Sequence, residues 1–193
     1  MESTVVLLGG NGYLGRELTR QWAEAVPDTH FWILSRSGRN SLKVPNCHNV
    51  AVDVTDEQAV RSILPDQIDY VVDLVGRPAK NIVDSQQVND RPAQVMQQLA
   101  ESYQVRAMGF IGGKLGSKEF LATKQRLIDQ LRKSMIPLAV VAPTLLYGAD
   151  RHDKLSRMVP VLQFLGLFST RIRPMKVEVA ARELLNQLLE IGK

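Results

Sequence analysis

The chain has a single cysteine in 193 residues. Cys47, in the turn-like stretch Pro45-Asn46-Cys47-His48-Asn49, has no partner for an intramolecular disulfide, which fits a reducing cytoplasm. No apolar run approaches the ~18 residues of a membrane span. The N-terminus reads as a strand, without the charged n-region and apolar stretch of a signal peptide. Runs of five or more like charges are absent, so the net charge of +4 is mixed through the chain. That argues against a nucleic-acid-binding tail, while a basic balance suits an anionic ligand. No spacing of His, Cys, Asp and Glu suggests a metal. Repeats and low-complexity segments are missing as well. What remains is a chain with 45% hydrophobic residues, enough to bury the core of one domain over 1–193.

The most informative segment present is Gly9-Gly10-Asn11-Gly12-Tyr13-Leu14-Gly15, directly after the apolar run Thr4-Val5-Val6-Leu7-Leu8. A buried strand enters a glycine turn, and the turn opens a helix with Leu14, Leu18 and Trp22 on one face. Such a turn suits a pyrophosphate. Gly9 and Gly10 permit the bend, Gly12 lets backbone approach phosphate oxygens, and Gly15 lets helix and strand pack closely. The helix N-terminus adds N–H donors and a partial positive charge.

Apolar runs of strand length recur at 4–8, 30–34, 48–52, 69–75, 106–111 and 137–142. Helical patterns lie between them. Val95, Met96 and Leu99 mark one at 87–104; Phe120, Leu121, Leu127, Ile128 and Leu131 mark another at 117–134. Residues 177–190 read as a last helix with Val179, Leu184, Leu185 and Leu188 packed on the sheet. This alternation predicts an α/β fold, a doubly wound, mostly parallel Rossmann sheet with the first strand central. Ligands then bind beyond the carboxyl ends of the strands, where the order reverses.

Those ends carry the candidate chemistry. The second strand ends in Ser35-Arg36-Ser37-Gly38-Arg39, and no acid occurs between Leu34 and Asp53. A carboxylate there would hold the ribose 2′-hydroxyl of NAD. Arg36 instead suits a 2′-phosphate, which favours NADP(H) over NAD(H). After the third strand, Asp53 can accept from an adenine amino group with Val54 against the ring. Asp56 or Thr55 can cap the next helix.

These segments resemble the atypical short-chain dehydrogenase/reductase superfamily in its glycine-motif, NAD(P)-binding form. The matching residues are the glycine turn, Ser35-Arg36, Asp53-Val54, Val71-Val72-Asp73-Leu74-Val75-Gly76-Arg77, Lys124, Ala142-Pro143-Thr144-Leu145-Leu146-Tyr147-Gly148 and Pro174-Met175-Lys176-Val177-Glu178-Val179-Ala180. The fourth-strand segment is most similar to the nucleotide-binding accessory subunit of respiratory complex I and its bacterial relatives. The resemblance implies cofactor contacts at Gly9, Asn11, Gly12, Tyr13, Leu14, Gly15, Ser35, Arg36, Asp53, Val54, Val75, Gly76, Arg77, Lys124 and Pro143. Residues 143–176 are expected to form a small substrate-side cap. Its apolar stretch from Met158 to Phe168 reads as a lid or core helix, or as a membrane- or partner-facing patch.

The chain departs from the superfamily at the proton relay. A Tyr-x-x-x-Lys pair puts tyrosine and lysine on one helix face, and a serine or threonine ends the fifth strand. Here Phe120 stands at the tyrosine position before Lys124, and the strand ends Phe110-Ile111-Gly112-Gly113. Lys124 keeps a use as a ribose ligand; the alternative is a solvated helical lysine. Tyr147 and, less so, His152 are substitutes for the missing acid, and Lys114 and Ser117 lie close enough to reach the pocket. His30 and His48 sit at strand starts, the wrong end for the site. Two functions follow. One is an NADP(H)-dependent reductase of an unidentified small molecule, such as a quinone or flavin that takes hydride directly. The other is a nucleotide sensor or assembly component that binds NADP(H) without turnover.

Overall fold

Val5, Val6, Leu7 and Leu8 in succession leave no polar face, so the first strand must be covered on both sides. The computed structural model describes residues 2–148 and 174–193 and places this run in β1 (Ser3–Leu8). It is third in a sheet of six parallel strands. The order is β3 (Cys47–Ala51), β2 (Thr29–Ser35), β1, β4 (Tyr70–Asp73), β5 (Ala107–Ile111), β6 (Leu138–Val141). The fold is thus the doubly wound Rossmann sheet in one domain. Chain direction across the sheet reverses between β1 and β4.

Helices cover both faces. On one side α1 (Tyr13–Ala25) and the last helix, α6 (Val177–Ile191), pack over Val5, Leu7, Phe31 and Val72. Leu18 and Trp22 of α1 are fully buried, and the Trp22 ring meets Tyr70 edge-on at 5.1 Å between centroids. On the other side α4 (Arg91–Tyr103) and α5 (Lys118–Leu131) cover Val6, Val71, Met108 and Phe110. Two short helices, α2 (Glu57–Arg61) and α3 (Ile82–Ser85), lie in the crossovers.

Several details differ from expectation. The helix anticipated at 87–104 begins earlier, as α3, and passes through a π-helical turn, Gln86–Asp90, into α4. Pro92, in the first turn of α4, has no N–H to give the preceding turn, and the wider π-turn accommodates that gap. Cys47 opens β3 and is half-buried, with desolvation pushing its thiol up to about 11. Val179 does not pack on the sheet; it is 51% exposed. The buried phase of α6 is Val177, Ala180, Ala181, Leu184, Leu185 and Leu188, the i, i+3, i+4, i+7 face. An unanticipated parallel pair joins β7 (Leu146–Tyr147) to β8 (Met175–Lys176), strands too short to show periodicity. Of the cap expected over 143–176, residues 149–173 lie outside the described residues, as do His152 and the Met158–Phe168 stretch. No helix among the described residues is long and apolar enough to cross a membrane.

Candidate functional site

The glycine turn follows β1 and is tied to the end of β2. Gly9 N–H donates to Leu34 O of β2 at 2.8 Å, and Gly12 N–H closes back on Gly9 O at 3.0 Å. Gly9 has φ +76, a conformation that suits glycine. A Cβ on Gly15 would lie 2.3 Å from Gly10 O, so α1 can seat against the turn only with hydrogen there. Gly12 is different. It caps α1 in extended geometry, no side chain caps the helix, and a Cβ would meet only Gly9 O at 3.1 Å. Among the described residues, the N–H donors of the first turn of α1 are therefore not covered by a capping side chain, the arrangement that receives an anion.

Beside the turn, at the β1/β4 reversal, lies a cleft of about 770 Å³ whose lining includes Gly9 and Asn11 but not Gly12 or the first turn of α1. Nine of the expected residues line it: Gly9, Asn11, Ser35, Arg36, Asp53, Val54, Val75, Gly76 and Arg77. Ser37, Thr55, Leu74, Gln87, Val88 and Pro92 also line it, though the sequence assigned none of them to the cofactor.

Most of the polar lining groups are held by local bonds. Asn11 Nδ2 donates to Arg39 O at 3.0 Å, tying the glycine turn to the loop after β2. Ser35 Oγ is buried and accepts from Gly38 N–H at 3.1 Å, which shapes that loop. Arg36 is exposed, and no hydrogen bond or ion pair among the described residues engages its guanidinium. Asp53 Oδ1 accepts from Thr55 N–H at 2.9 Å and Thr55 Oγ1 at 2.8 Å, while Val54 is buried. Asp56 caps α2 by accepting from Ala59 N–H at 3.0 Å. The Arg77 guanidinium turns to Asp84, with bonds of 2.8 and 2.9 Å, which hold the Asp84 carboxyl below its ordinary range.

The remaining candidates do not line the cleft. Tyr13 starts α1 and its hydroxyl donates to the Gly148 carbonyl; Leu14 is buried against the sheet. Pro143 is buried and its carbonyl accepts from Lys114 N–H at 2.9 Å. Lys114 itself is exposed, and Ser117 caps α5 by accepting from Phe120 N–H at 3.2 Å. Tyr147 sits in β7, half-buried, in register with Lys176. The Phe120 ring folds over the preceding link, where Cβ atoms on Gly113 and Gly116 would touch it at 3.2 and 2.7 Å. That link is kept small where the superfamily's relay would stand.

Lys124 is not a solvated lysine. It is 3% exposed, its Nζ lies 4.4 Å from the Phe110 ring centroid, and it donates to Val75 O at 3.3 Å. Behind the cleft wall it faces Asp73, fully buried, and Asp90, which pairs with Arg126. Burial pushes the Asp73 carboxyl up to about 7, with Lys124 opposing that rise, and burial lowers the Lys124 ammonium. Sequence reading passed over Asp73 and Asp90. The visible signal was an acid within the apolar run Val71-Val72-Asp73-Leu74-Val75. No group of His, Cys, Asp and Glu able to hold a metal occurs among the described residues.

Residues 5–121 match the NAD dependent epimerase/dehydratase family, and the chain belongs to it. No curated protein sequence matches the chain. Among solved structures it is similar to a Rossmann-fold NAD(P)-binding family protein from Shigella flexneri. That match has 17% identity, covers 98% of this chain and 88% of that one, and has a TM-score of 0.68. UDP-glucose 4-epimerase is similar at 12% identity, covering 97% and 73%, with a TM-score of 0.76. ElxO, solved with NADP bound, is similar at 16% identity, covering 94% and 89%, with a TM-score of 0.70. At these identities the structures establish the fold alone.

Proposed function

We propose that the chain binds NADP(H) in the cleft at the β1/β4 reversal and serves as a reductase without the usual serine–tyrosine relay. The observation that carries this reading is Arg36. Just after β2, its guanidinium lies on the cleft lining with no partner among the described residues and no acid beside it in the loop. A free fork of donors at that place suits a 2′-phosphate. The cradle at Gly12 supports the same ligand, since no side chain caps the α1 N-terminus among the described residues and a Cβ on Gly12 would meet only Gly9 O. ElxO and other similar structures hold NADP or NAD, as with WbmH from Bordetella bronchiseptica in complex with NAD+.

In this reading Gly9, Asn11 and Gly12 with the first turn of α1, including Tyr13, Leu14 and Gly15, receive the pyrophosphate. Ser35 and Arg36 receive the 2′-phosphate, and Asp53 with Val54 receives the adenine. Val75, Gly76 and Arg77 form the wall toward the nicotinamide, with Lys124 and Pro143 behind it. The cofactor would supply hydride. Phe120 has no proton to exchange, and Gly112 and Gly113 present no hydroxyl to polarise a carbonyl. The reaction class supported is therefore transfer to an acceptor that draws its proton from water, such as a quinone or flavin. Titrating NADPH and NADH by fluorescence tests the cofactor; equal affinities refute the role given to Arg36.

The same missing groups favour a second reading, NADP(H) binding without turnover by a sensor or assembly component. The likeness of the β4 segment to the complex I accessory subunit supports it. Tight NADPH binding with no turnover across quinones, flavins and carbonyls would select this reading over the first.

A further inference from the structure

Val75 and Arg77 of the cleft wall, with Gly76 between them, are held from behind by side chains that do not line the cleft. Val75 N–H donates to Asp73 Oδ1 at 2.8 Å, and Val75 O accepts from Lys124 Nζ at 3.3 Å. Arg77 N–H donates to Asn89 Oδ1 at 3.1 Å, and Arg77 O accepts from Asn89 Nδ2 at 3.1 Å. Between them Gly76 has φ +141, and a Cβ there would strike Lys124 Nζ at 2.6 Å and Asn89 Oδ1 at 2.8 Å. The three holders come from β4, the π-helical turn and α5, and none is more than 3% exposed.

We infer that Asp73, Asn89 and Lys124 form a buried polar frame that fixes the Val75–Arg77 backbone, which makes Lys124 a positioning residue of the cleft wall instead of a cofactor ligand. Buried polar groups persist where they are bonded, and these bonds all converge on main-chain atoms of one short segment. The π-helical turn turns Asn89 inward; such turns interrupt the regular ladder and redirect side chains. One atom of the frame stays unbonded. Asp73 Oδ2 is fully buried and has no hydrogen-bond partner among the described residues. It is balanced instead by the Lys124 charge, which also faces Asp90, itself paired with Arg126. These are the charged groups facing Asp73 and Lys124 from α5 and the π-helical turn.

The frame therefore has two states. With Asp73 ionised, Val75 N–H donates to a carboxylate and Lys124 is drawn toward it. With Asp73 protonated, that bond weakens to a neutral one and Lys124 is left to Asp90. The Asp73 carboxyl sits at about 7, so the change falls in the neutral range: for local openings that leave Asp73 buried the Val75 bond is firmer on the alkaline side, while the fold as a whole loses stability there.

The test is site-resolved amide hydrogen exchange of the full chain, expressed as protection relative to the free peptide, from pH 5.5 to 9. In the wild type, Val75 protection should rise roughly tenfold as pH passes through the neutral range. The rise should vanish in Asp73→Asn. In Lys124→Met it should move to higher pH, because the opposing charge is gone; Lys124→Gln serves if the Met variant does not fold. Asn89→Ala should cost Arg77 protection roughly 10- to 100-fold. Leu74, whose N–H donates to Leu8 O at 3.0 Å within the sheet, is the internal control and should hold in every variant. A flat Val75 profile in the wild type, or an unmoved midpoint in the lysine variants, overturns the inference. The frame bears on the nucleotide only through the proposed cofactor reading, so saturating NADPH is added last. If the exchange profile is as stated but NADPH changes no protection in the wall, the frame stands and the cofactor reading fails.

Discussion

Gly12 and Gly15 belong to one motif, yet the structure assigns them opposite consequences. At Gly15 a single methyl would sit 2.3 Å from Gly10 O and 2.6 Å from Gly10 C and Cα. These are backbone atoms, locked by the turn, so α1 must shift off the sheet. Overpacking of this kind costs up to ~3 kcal/mol, and for a domain of this size each kcal/mol moves Tm by about 2–4 °C, giving a drop of roughly 6–12 °C in Gly15→Ala. At Gly12 the backbone is extended, φ −68 and ψ 173, and the nearest atom to a Cβ is Gly9 O at 3.1 Å. Gly12→Val should therefore fold with little change in Tm. Its side chain fills the space before the α1 N-terminus, and the loss of two charge-assisted bonds to a pyrophosphate, ~1.5–3 kcal/mol each, weakens nucleotide binding by roughly 10²- to 10⁴-fold. Differential scanning calorimetry and NADPH titration on both variants separate the effects. Unchanged affinity in a folded Gly12→Val protein would show that no pyrophosphate is held at this turn. An unchanged Tm in Gly15→Ala would contradict the packing argument.

Arg36→Ala should weaken NADPH roughly tenfold, the low end of a charge-assisted pair because Arg36 is exposed, and leave NADH unchanged; competition titration of both nucleotides reads this. Simple ketones and secondary alcohols should turn over near background, since a general acid contributes about 10²–10⁴-fold, while a quinone or flavin panel with NADPH should show activity; robust ketone reduction would mean another group supplies the proton. Ser117→Ala removes the cap of α5 and should lower Tm by roughly 2–4 °C in a thermal melt. Asp73 is raised in the folded state to about 7 from 3.8, so its contribution to stability is fully present below the lower value and lost as pH rises through the higher one. Asp73→Asn lacks that loss, and its denaturant-measured stability relative to wild type should climb between those pH values.

The parts of this molecule visible in the sequence are those set by short-range rules. Alternating strand and helix patterns, the glycine turn and the basic end of β2 each declare themselves within a few residues, and right-handed crossovers between parallel strands put the first strand inside the sheet. Val179 was misread because one residue of phase on a helix moves a side chain from the sheet to solvent, and an apolar residue carries no mark of its phase. The two-residue strands β7 and β8 had no period to show.

Lys124 shows what was harder to read. Its spacing from Phe120 is a local fact, and it suggested either a ribose ligand or a solvated lysine. Neither reading contains Asp73, Asp90 or Asn89, which come from elements 34 to 51 residues earlier in the chain and meet it only across the packed face of the sheet. A buried ammonium is tolerable only if such partners exist, so burial and partner set are one piece of information, and both are tertiary. The acid within the apolar β4 run was the half of that information the sequence displayed. A carboxyl amid valines must either be neutralised or find a cation. The cation it found is the lysine whose tyrosine partner the chain has replaced with Phe120, an arrangement under which Lys124 is held for the wall of the cleft and not for the chemistry inside it.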